Sequence, residues 1–169
     1  MEDKICFDIV GELHRLLSSR GHHLSAAESC TGGMLASTIV DFPGASDILC
    51  QSLVTYSNEA KQRLLGVNES TLANWGAVSE QTAAEMALGA ARSASCEVAM
   101  STTGIAGPGG GTPDKPVGLV YIGCYCYGNV EVRRYIFDGD RSSIRRQAVE
   151  EALKLCLGCL KEYEREHGN

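Results

Sequence analysis

The sequence lacks the features that mark nucleic-acid-binding, membrane-spanning and exported proteins. Its 169 residues carry 15 basic and 21 acidic side chains, a formal net charge of −6, so there is no basic surplus to neutralise a phosphate backbone. No apolar run approaches the ~20 residues that a membrane helix needs. The first ten residues place charges on both sides of one cysteine, which fits neither a secretory signal nor a transit peptide. We therefore expect a cytoplasmic domain with no nucleic-acid and no membrane partner.

Proline and tryptophan are also scarce, with 4 and 1 copies, and no repeat, low-complexity tract or linker divides the chain. At roughly 150 residues per domain, the length predicts a single domain over residues 1–169, with its core at about 5–162. The alternation of helical and strand-like segments predicts a three-layer α/β fold, a mixed sheet with flanking helices. We predict helices over 3–19, 34–40, 58–65, 82–92 and 140–166, strands over 24–29, 48–56, 98–103, 117–127 and 130–137, and a hairpin turn at 128–129.

Cysteine is abundant, with 8 copies, but a disulfide framework is typical of short secreted chains. Cys124 and Cys126 would share one face of a strand. Cys156 and Cys159 lie in a leucine-rich helical stretch that lacks the Gly or Pro of redox and zinc turns. Packing as small buried apolar groups is therefore favoured over a metal or redox site.

The first candidate site follows the predicted strand that ends at Ser29. A hydroxyl before Gly32 and Gly33, at the start of a helix, lies beside free backbone N–H groups that can stabilise an oxyanion or hold a phosphate. The alternative is that Ser29 or Thr31 only caps the helix. Cys30 is a rival nucleophile, because a helix N-terminus favours the thiolate.

The second candidate site contains Tyr56 and Lys61, which can both face a pocket. Lys61 lies one turn into a predicted helix, where the positive potential lowers the pKa of an amine and suits it to general-base chemistry. Such a lysine can take the proton of a serine hydroxyl. The alternative is an ordinary solvated lysine on a helix.

The third candidate site is the loop 104–111, which is unusually rich in glycine and follows a strand that ends at Thr103. Glycines let the backbone approach a ligand closely, and the absence of a following Gly-Lys-Ser/Thr excludes a Walker A loop. Arg141 and Arg145, four residues apart on the last helix, share a face and can clamp a phosphate. Solvated surface charge is the alternative for both arginines.

Several motifs, taken together, resemble the C-terminal domain of the competence-damage-inducible protein CinA, the nicotinamide-nucleotide amidase family. They occur in the order of that family and cover roughly residues 5–160, nearly the whole chain. The motifs are AESCTGG at 27–33, VTYSNEAKQRLLGV at 54–67, GAVS at 76–79, TTGIAGPGG at 102–110, KPVGLV at 115–120 and FDGDRSSIR at 137–145.

The resemblance implies hydrolysis of the carboxamide of nicotinamide mononucleotide, which gives nicotinate mononucleotide and ammonia in pyridine nucleotide salvage, without a metal or other cofactor. It implies a Ser-Lys dyad in which Ser29 is the nucleophile and Lys61 is the base, with Tyr56 and Thr103 assisting.

The resemblance also implies where the substrate binds. The N–H groups of Thr31, Gly32 and Gly33 would receive the oxyanion. The nucleotide site would be lined by Gly104, Ile105, Ala106, Gly107, Pro108 and Gly109. From their spacing we assign Arg141 and Arg145 to the phosphate.

Two other functions stay open at this point. One is a module that binds a pyridine nucleotide without catalysis, which would leave Lys61 and Tyr56 without a role. The other is an amidase that acts on a different nucleotide. Finally, the alternating strand around 121–127 has one face that would serve either the core or an interface, so a homo-oligomer is also an expectation.

Overall fold

Five strands form one mixed sheet at the centre of the computed structural model, which describes residues 2–168. Met1 and Asn169, the ends of the predicted domain, lie outside the described residues. The strands are β1 (Leu24–Glu28), β2 (Leu49–Val54), β3 (Val98–Gly104), β4 (Leu119–Cys126) and β5 (Asn129–Ile136). Their order is β2-β1-β3-β4-β5, with the first three parallel and the last two pairings antiparallel. The predicted mixed sheet is confirmed.

Helices cover both faces of the sheet, so the predicted three-layer arrangement is confirmed as well. They are α1 (Glu2–Ser18), α2 (Met34–Val40), α3 (Asn58–Leu65), α4 (Glu69–Trp75), α5 (Glu80–Ala94) and α6 (Arg141–His167), with a short 3-10 turn at Ala45–Asp47. The first face packs against α1, α2 and α6, and the second against α3, α4 and α5.

Strand alternation distributes small apolar residues between the two faces. Ala26 and Met100 pack into the cluster under α1, α2 and α6, whereas Ala27 and Ala99 pack into the cluster under α5. All five residues of β1 are buried, as expected for a parallel strand covered on both sides. The buried strand ends therefore deliver their last residues to one edge of the sheet.

Two local predictions need correction. Helix α4 was not predicted, because its seven residues bury only one apolar side chain, Leu72, and so have no clear periodicity. The hairpin turn lies at Tyr127 and Gly128 rather than at 128–129. Both residues have positive φ, of 46° and 98°, as a two-residue type I′ turn requires, and Asn129 already pairs with Cys126 in the ladder.

None of the eight cysteines forms a disulfide, and most of them are buried as predicted. The two exceptions are Cys159, which is partly buried, and Cys50, which lies exposed on the edge strand β2. Among residues 2–168, no group of three or more His, Cys, Asp or Glu side chains is arranged to hold a metal ion. Within the same residues, no helix has the length and apolar character needed to cross a bilayer.

Candidate active site

The three predicted site segments meet at the carboxyl edge of the parallel strands, where α/β sheets usually bind ligands. β1 ends at Glu28, β2 ends at Val54 and β3 ends at Gly104. Between the segments lies an open cleft of about 210 Å³. The cleft is lined by Ser29, Cys30, Tyr56, Lys61, Ala77, Val78, Thr103, Gly104, Ala106 and Arg141.

Ser29 begins the turn that joins β1 to α2. Its N–H donates to the carbonyl of Thr102 at 3.0 Å, which ties the turn to β3. The N-cap of α2 is Gly33, without a capping side-chain hydrogen bond, so neither Ser29 nor Thr31 is the cap. Gly32 and Gly33 have φ values of 58° and 95°, in the left-handed region that glycine adopts at little cost. The Ser29 hydroxyl is therefore left to face the cleft.

Glu28 replaces the missing cap, and sequence reasoning gave it no role. Its carboxylate is fully buried and accepts hydrogen bonds from five donors. They are the Thr31 hydroxyl (2.7 Å), the N–H groups of Gly33 (2.9 Å), Leu35 (3.0 Å) and Ala36 (2.9 Å), and the Ser52 hydroxyl (3.1 Å). A negative charge at a helix N-terminus is favourable. An acidic residue inside an otherwise small and apolar strand was the only clue in the sequence.

This arrangement corrects the predicted set of oxyanion donors. The Gly33 N–H is already donated to Glu28, so it is not free to receive an oxyanion. Within residues 2–168, the N–H groups of Thr31 and Gly32 have no protein acceptor. The Thr31 side chain points elsewhere, since its hydroxyl lies 2.7 Å from both Glu28 and the Thr102 hydroxyl.

Lys61 is buried beside Ser29. Ser57 caps α3 by accepting from the Ala60 N–H at 3.1 Å, and this start places Lys61 one turn into the helix. Its Nζ donates to Ser29 Oγ at 3.1 Å and to the Thr55 carbonyl at 2.8 Å. The side chain is only 1% exposed, which excludes the solvated alternative.

The pKa of Lys61 is lowered from its ordinary value of 10.5. The cause is desolvation of the ammonium by burial, whereas the sequence suggested the potential of the helix N-terminus. No carboxylate within residues 2–168 forms an ion pair with it. A buried amine without a counter-charge favours its neutral form, which is the form that can accept a proton.

Cys30 also lines the cleft, but its thiol is a poor nucleophile. Burial raises the pKa of the thiol to about 11, and this effect exceeds the lowering by Arg145 and Lys61. The expectation that the start of a helix would favour the thiolate is therefore wrong for Cys30, because desolvation outweighs the positive potential.

Tyr56 and Arg141 form the outer wall of the cleft. Tyr56 is 63% exposed, and its hydroxyl accepts from Arg141 Nη2 at 3.1 Å. Arg141 Nη1 donates to the carbonyl of Gly107 at 2.8 Å. Arg141 thus links the segment after β2 to the glycine-rich loop and keeps further N–H donors for a ligand.

Thr103 lies on the inner wall. Its hydroxyl donates to the carbonyl of Ala77 at 2.6 Å, which holds the segment before α5 against β3. Ala77 and Val78 line the cleft, although sequence reasoning assigned them no role in the site. The GAVS motif at 76–79 was the available clue.

The glycine-rich loop contributes less of the lining than predicted. Gly104 and Ala106 line the cleft, whereas Ile105, Gly107, Pro108 and Gly109 are not among its lining residues. The physical reason is that the backbone of Ile105 forms hydrogen bonds to Leu119, the first residue of β4, and to Gly118, the residue before β4. These hydrogen bonds direct the rest of the loop away from the cleft. Gly107 still acts through its carbonyl on Arg141.

Arg145, the second arginine predicted to bind the phosphate, is not among the residues that line the cleft. Its Nε donates to the carbonyl of Cys30 at 3.1 Å, and its Nη2 donates to the carbonyl of Thr31 at 2.6 Å. The two arginines share a helix face, but each is held by different backbone groups.

Comparison with known proteins identifies relatives over nearly the whole chain. The model of the CinA C-terminal domain family matches residues 7–160. A CinA-like protein of Kosmotoga olearia is 52% identical over 138 residues, which are 82% of this chain and 34% of that protein. This chain spans about a third of the length of the curated relatives it matches.

Solved structures show the same fold. A CinA superfamily protein from Enterobacter cloacae is 35% identical, with a TM-score of 0.88 and 92% of both chains covered. A competence/damage inducible protein from Agrobacterium tumefaciens is 38% identical, with a TM-score of 0.86 and 94% of both chains covered.

Proposed function

This chain belongs to the CinA C-terminal domain family, and we propose that it is an amidase that converts nicotinamide mononucleotide to nicotinate mononucleotide and ammonia in pyridine nucleotide salvage. One observation carries the proposal. A buried lysine with a lowered pKa lies 3.1 Å from a serine hydroxyl in an open cleft. This pairing of a weak nucleophile with an adjacent base is the geometry of covalent acyl transfer.

The reaction begins with proton transfer from Ser29 to Lys61. Neutral Lys61 accepts the Ser29 proton across the 3.1 Å contact, while Ser29 Oγ forms a bond to the carboxamide carbon. The oxyanion that develops is received by backbone N–H groups, for which Thr31 and Gly32 are the candidates. Protonated Lys61 then gives its proton to the departing nitrogen, the C–N bond breaks and ammonia leaves.

Water completes the cycle. Lys61, neutral again, takes a proton from a water molecule that attacks the acyl carbon. The bond to Ser29 Oγ then breaks, the hydroxyl recovers its proton from Lys61, and the carboxylate product is released. Atoms balance as one amide and one water giving one acid and one ammonia.

The walls of the cleft fit a nucleotide that carries its amide at one end. Its volume of about 210 Å³ is below the roughly 300–1,000 Å³ of pockets for drug-sized ligands. The carboxamide-bearing ring would therefore enter the cleft, and the ribose phosphate would lie outside. Arg141, at the mouth, retains guanidinium donors that suit a phosphate monoester.

The test is ammonia release from a panel of nicotinamide mononucleotide, nicotinamide riboside and NAD, with products identified by chromatography. We expect nicotinate mononucleotide and ammonia in equal amounts, with nicotinamide riboside turned over less well because it lacks the phosphate. Calorimetric binding of the mononucleotide without ammonia release over hours would instead favour a non-catalytic binding module. Preference for another member of the panel would identify an amidase of different substrate.

A further inference from the structure

We infer that Glu28 and Arg145 are positioning residues that hold the turn 29–33 from opposite sides and so keep Ser29 within hydrogen-bond distance of Lys61. The inference rests on the proposed roles of Ser29 and Lys61. Neither Glu28 nor Arg145 lines the cleft, so both would act through the backbone of the turn.

Glu28 holds the turn through N–H groups. Its buried carboxylate accepts from the backbone of Gly33, Leu35 and Ala36, which fixes the start of α2 against β1. It also accepts from the Thr31 hydroxyl at 2.7 Å. A carboxylate has about four lone-pair sites, and this one serves donors on both sides of the two glycines.

Arg145 holds the turn through carbonyl groups. Its guanidinium reaches from α6 to the carbonyls of Cys30 and Thr31, the residues directly after the nucleophile. Hydrogen bonds from a charged donor are stronger than neutral ones. The N–H groups and the carbonyl groups of one short turn are thus held by side chains of opposite charge.

The turn needs such support because its own sequence gives little rigidity. Gly32 and Gly33 both have positive φ, and glycine loses more conformational freedom on folding than any other residue. Helix α2 also has no capping side chain at its N-cap. Loss of either anchor should allow Ser29 to move relative to Lys61, and a displacement of about 1 Å can slow an enzyme about 100-fold.

The experiment compares Glu28→Gln and Arg145→Lys with the wild type, in the whole chain, by steady-state kinetics on nicotinamide mononucleotide. We expect kcat to fall at least about 10-fold in both variants, with KM within about 2-fold, because a misplaced nucleophile affects chemistry and not substrate contacts. Glu97→Gln is the control for Glu28, since its carboxylate accepts from the His23 backbone at the opposite edge of the sheet. Arg146→Lys is the control for Arg145, since its guanidinium donates to Ser142 within α6.

Crystal structures of both variants give a readout that does not depend on the substrate. We expect the Ser29 Oγ to Lys61 Nζ distance to exceed about 3.5 Å. A raised KM with unchanged kcat in Arg145→Lys would make Arg145 a substrate contact and overturn its positioning role. Wild-type kcat in either variant, or an unchanged turn, would overturn the role of that residue.

The two proposals fail in different ways. If the wild type releases no ammonia from the panel, the proposed function fails, and the distance between Ser29 and Lys61 in the variants then decides the positioning roles alone. If Glu28→Gln does not fold, Arg145→Lys decides through its kcat, its KM and its structure whether the turn must be held for Ser29 to meet Lys61.

Discussion

At the scale of single residues, the burial of Lys61 is the central feature of the site. Among residues 2–168, its ammonium has only the Ser29 hydroxyl and the Thr55 carbonyl as hydrogen-bond partners. Removing a charge from water without a counter-charge costs several kcal/mol, and the group lowers this cost by losing its proton. The same burial that is unfavourable for a structural lysine therefore favours a neutral amine next to Ser29, which is the form that the proposed base requires.

We predict that kcat/KM for ammonia release rises with pH along a limb that belongs to Lys61. The protonated amine has no lone pair for the Ser29 proton, so activity is low below its pKa and is gained as the pH rises through it. Because burial lowers this pKa, the midpoint should lie below 10.5, and a pH–rate profile of the wild type measures it. A profile that is flat from pH 6 to 10, or that falls with rising pH, would contradict the assignment of Lys61 as base.

The sequence made Ser29 and Lys61 candidates because one lies at a strand end and the other near a helix start, and the family resemblance implied that they act as a pair. It did not identify Glu28, whose five hydrogen-bond donors lie in three parts of the chain: Thr31 and Gly33 in the turn, Leu35 and Ala36 in α2, and Ser52 in β2. It also gave no sign that Arg145 contacts the turn after Ser29, because the carbonyls that hold its guanidinium lie more than 110 residues away in the chain. Tertiary contacts of this kind leave no local pattern.

At the scale of elements, the packing of α3 on α5 sets the position of Lys61. Gly89, in the middle of α5, lies directly beneath the end of α3. A Cβ at this position would overlap the carbonyl of Leu65. The contact between the two helix backbones therefore requires a residue without a side chain, and α3 carries Lys61 one turn before Leu65.

We predict that Gly89→Ala destabilises the protein by about 1–3 kcal/mol, the usual cost of overpacking, and slows ammonia release as α3 moves away from Ser29. In an unconstrained helix the same change stabilises by roughly 0.5–1 kcal/mol. Gly158→Ala in α6 is the matched control, because a Cβ there meets nothing within 4 Å. Urea denaturation compares the free energies of unfolding of the two variants, and a stabilised Gly89→Ala would show that α3 does not depend on this contact.

Most elements could be predicted from periodicity and turn residues. Helix α2 has the predicted bounds of 34–40, since glycines precede it and Phe42-Pro43-Gly44 follows it. The seven residues of α4 escaped prediction because Leu72 alone is buried. The two-residue turn at Tyr127 escaped because a non-glycine residue there takes the positive φ, which a bulky side chain rarely does.

At the scale of the whole molecule, one sheet joins two apolar clusters and the cleft. The larger cluster lies under α1, α2 and α6, and the smaller lies under α3, α4 and α5. Because both use alternate residues of the same strands, neither can form without the sheet. The net charge of −6 repels a phosphate, so attraction of the proposed nucleotide substrate would have to come from local groups such as Arg141. Both faces of β4 pack within the chain, so this strand offers no unpartnered face to a second copy. A homo-oligomer therefore stays a prediction.

We predict that the two sides of the sheet unfold together in a single cooperative transition. Trp75, the only tryptophan, is partly exposed at the end of α4 and follows the unfolding of this helix, whose Leu72 belongs to the smaller cluster. The far-UV circular dichroism is dominated by the long helices α1 and α6 of the other side. Coincident urea transitions by fluorescence and circular dichroism are the expected result. A separate, earlier fluorescence transition would show that α3 and α4, with Lys61, open independently of the main core.

The central claim, that Ser29 rather than Cys30 is the nucleophile, is tested most directly by ammonia release from nicotinamide mononucleotide by the wild type, Ser29→Ala and Cys30→Ala. We predict a rate at least ~100-fold lower for Ser29→Ala and a rate close to wild type for Cys30→Ala, whose thiol has a pKa of about 11 and stays protonated at neutral pH. Near-wild-type release by Ser29→Ala, or loss of activity only in Cys30→Ala, would contradict it.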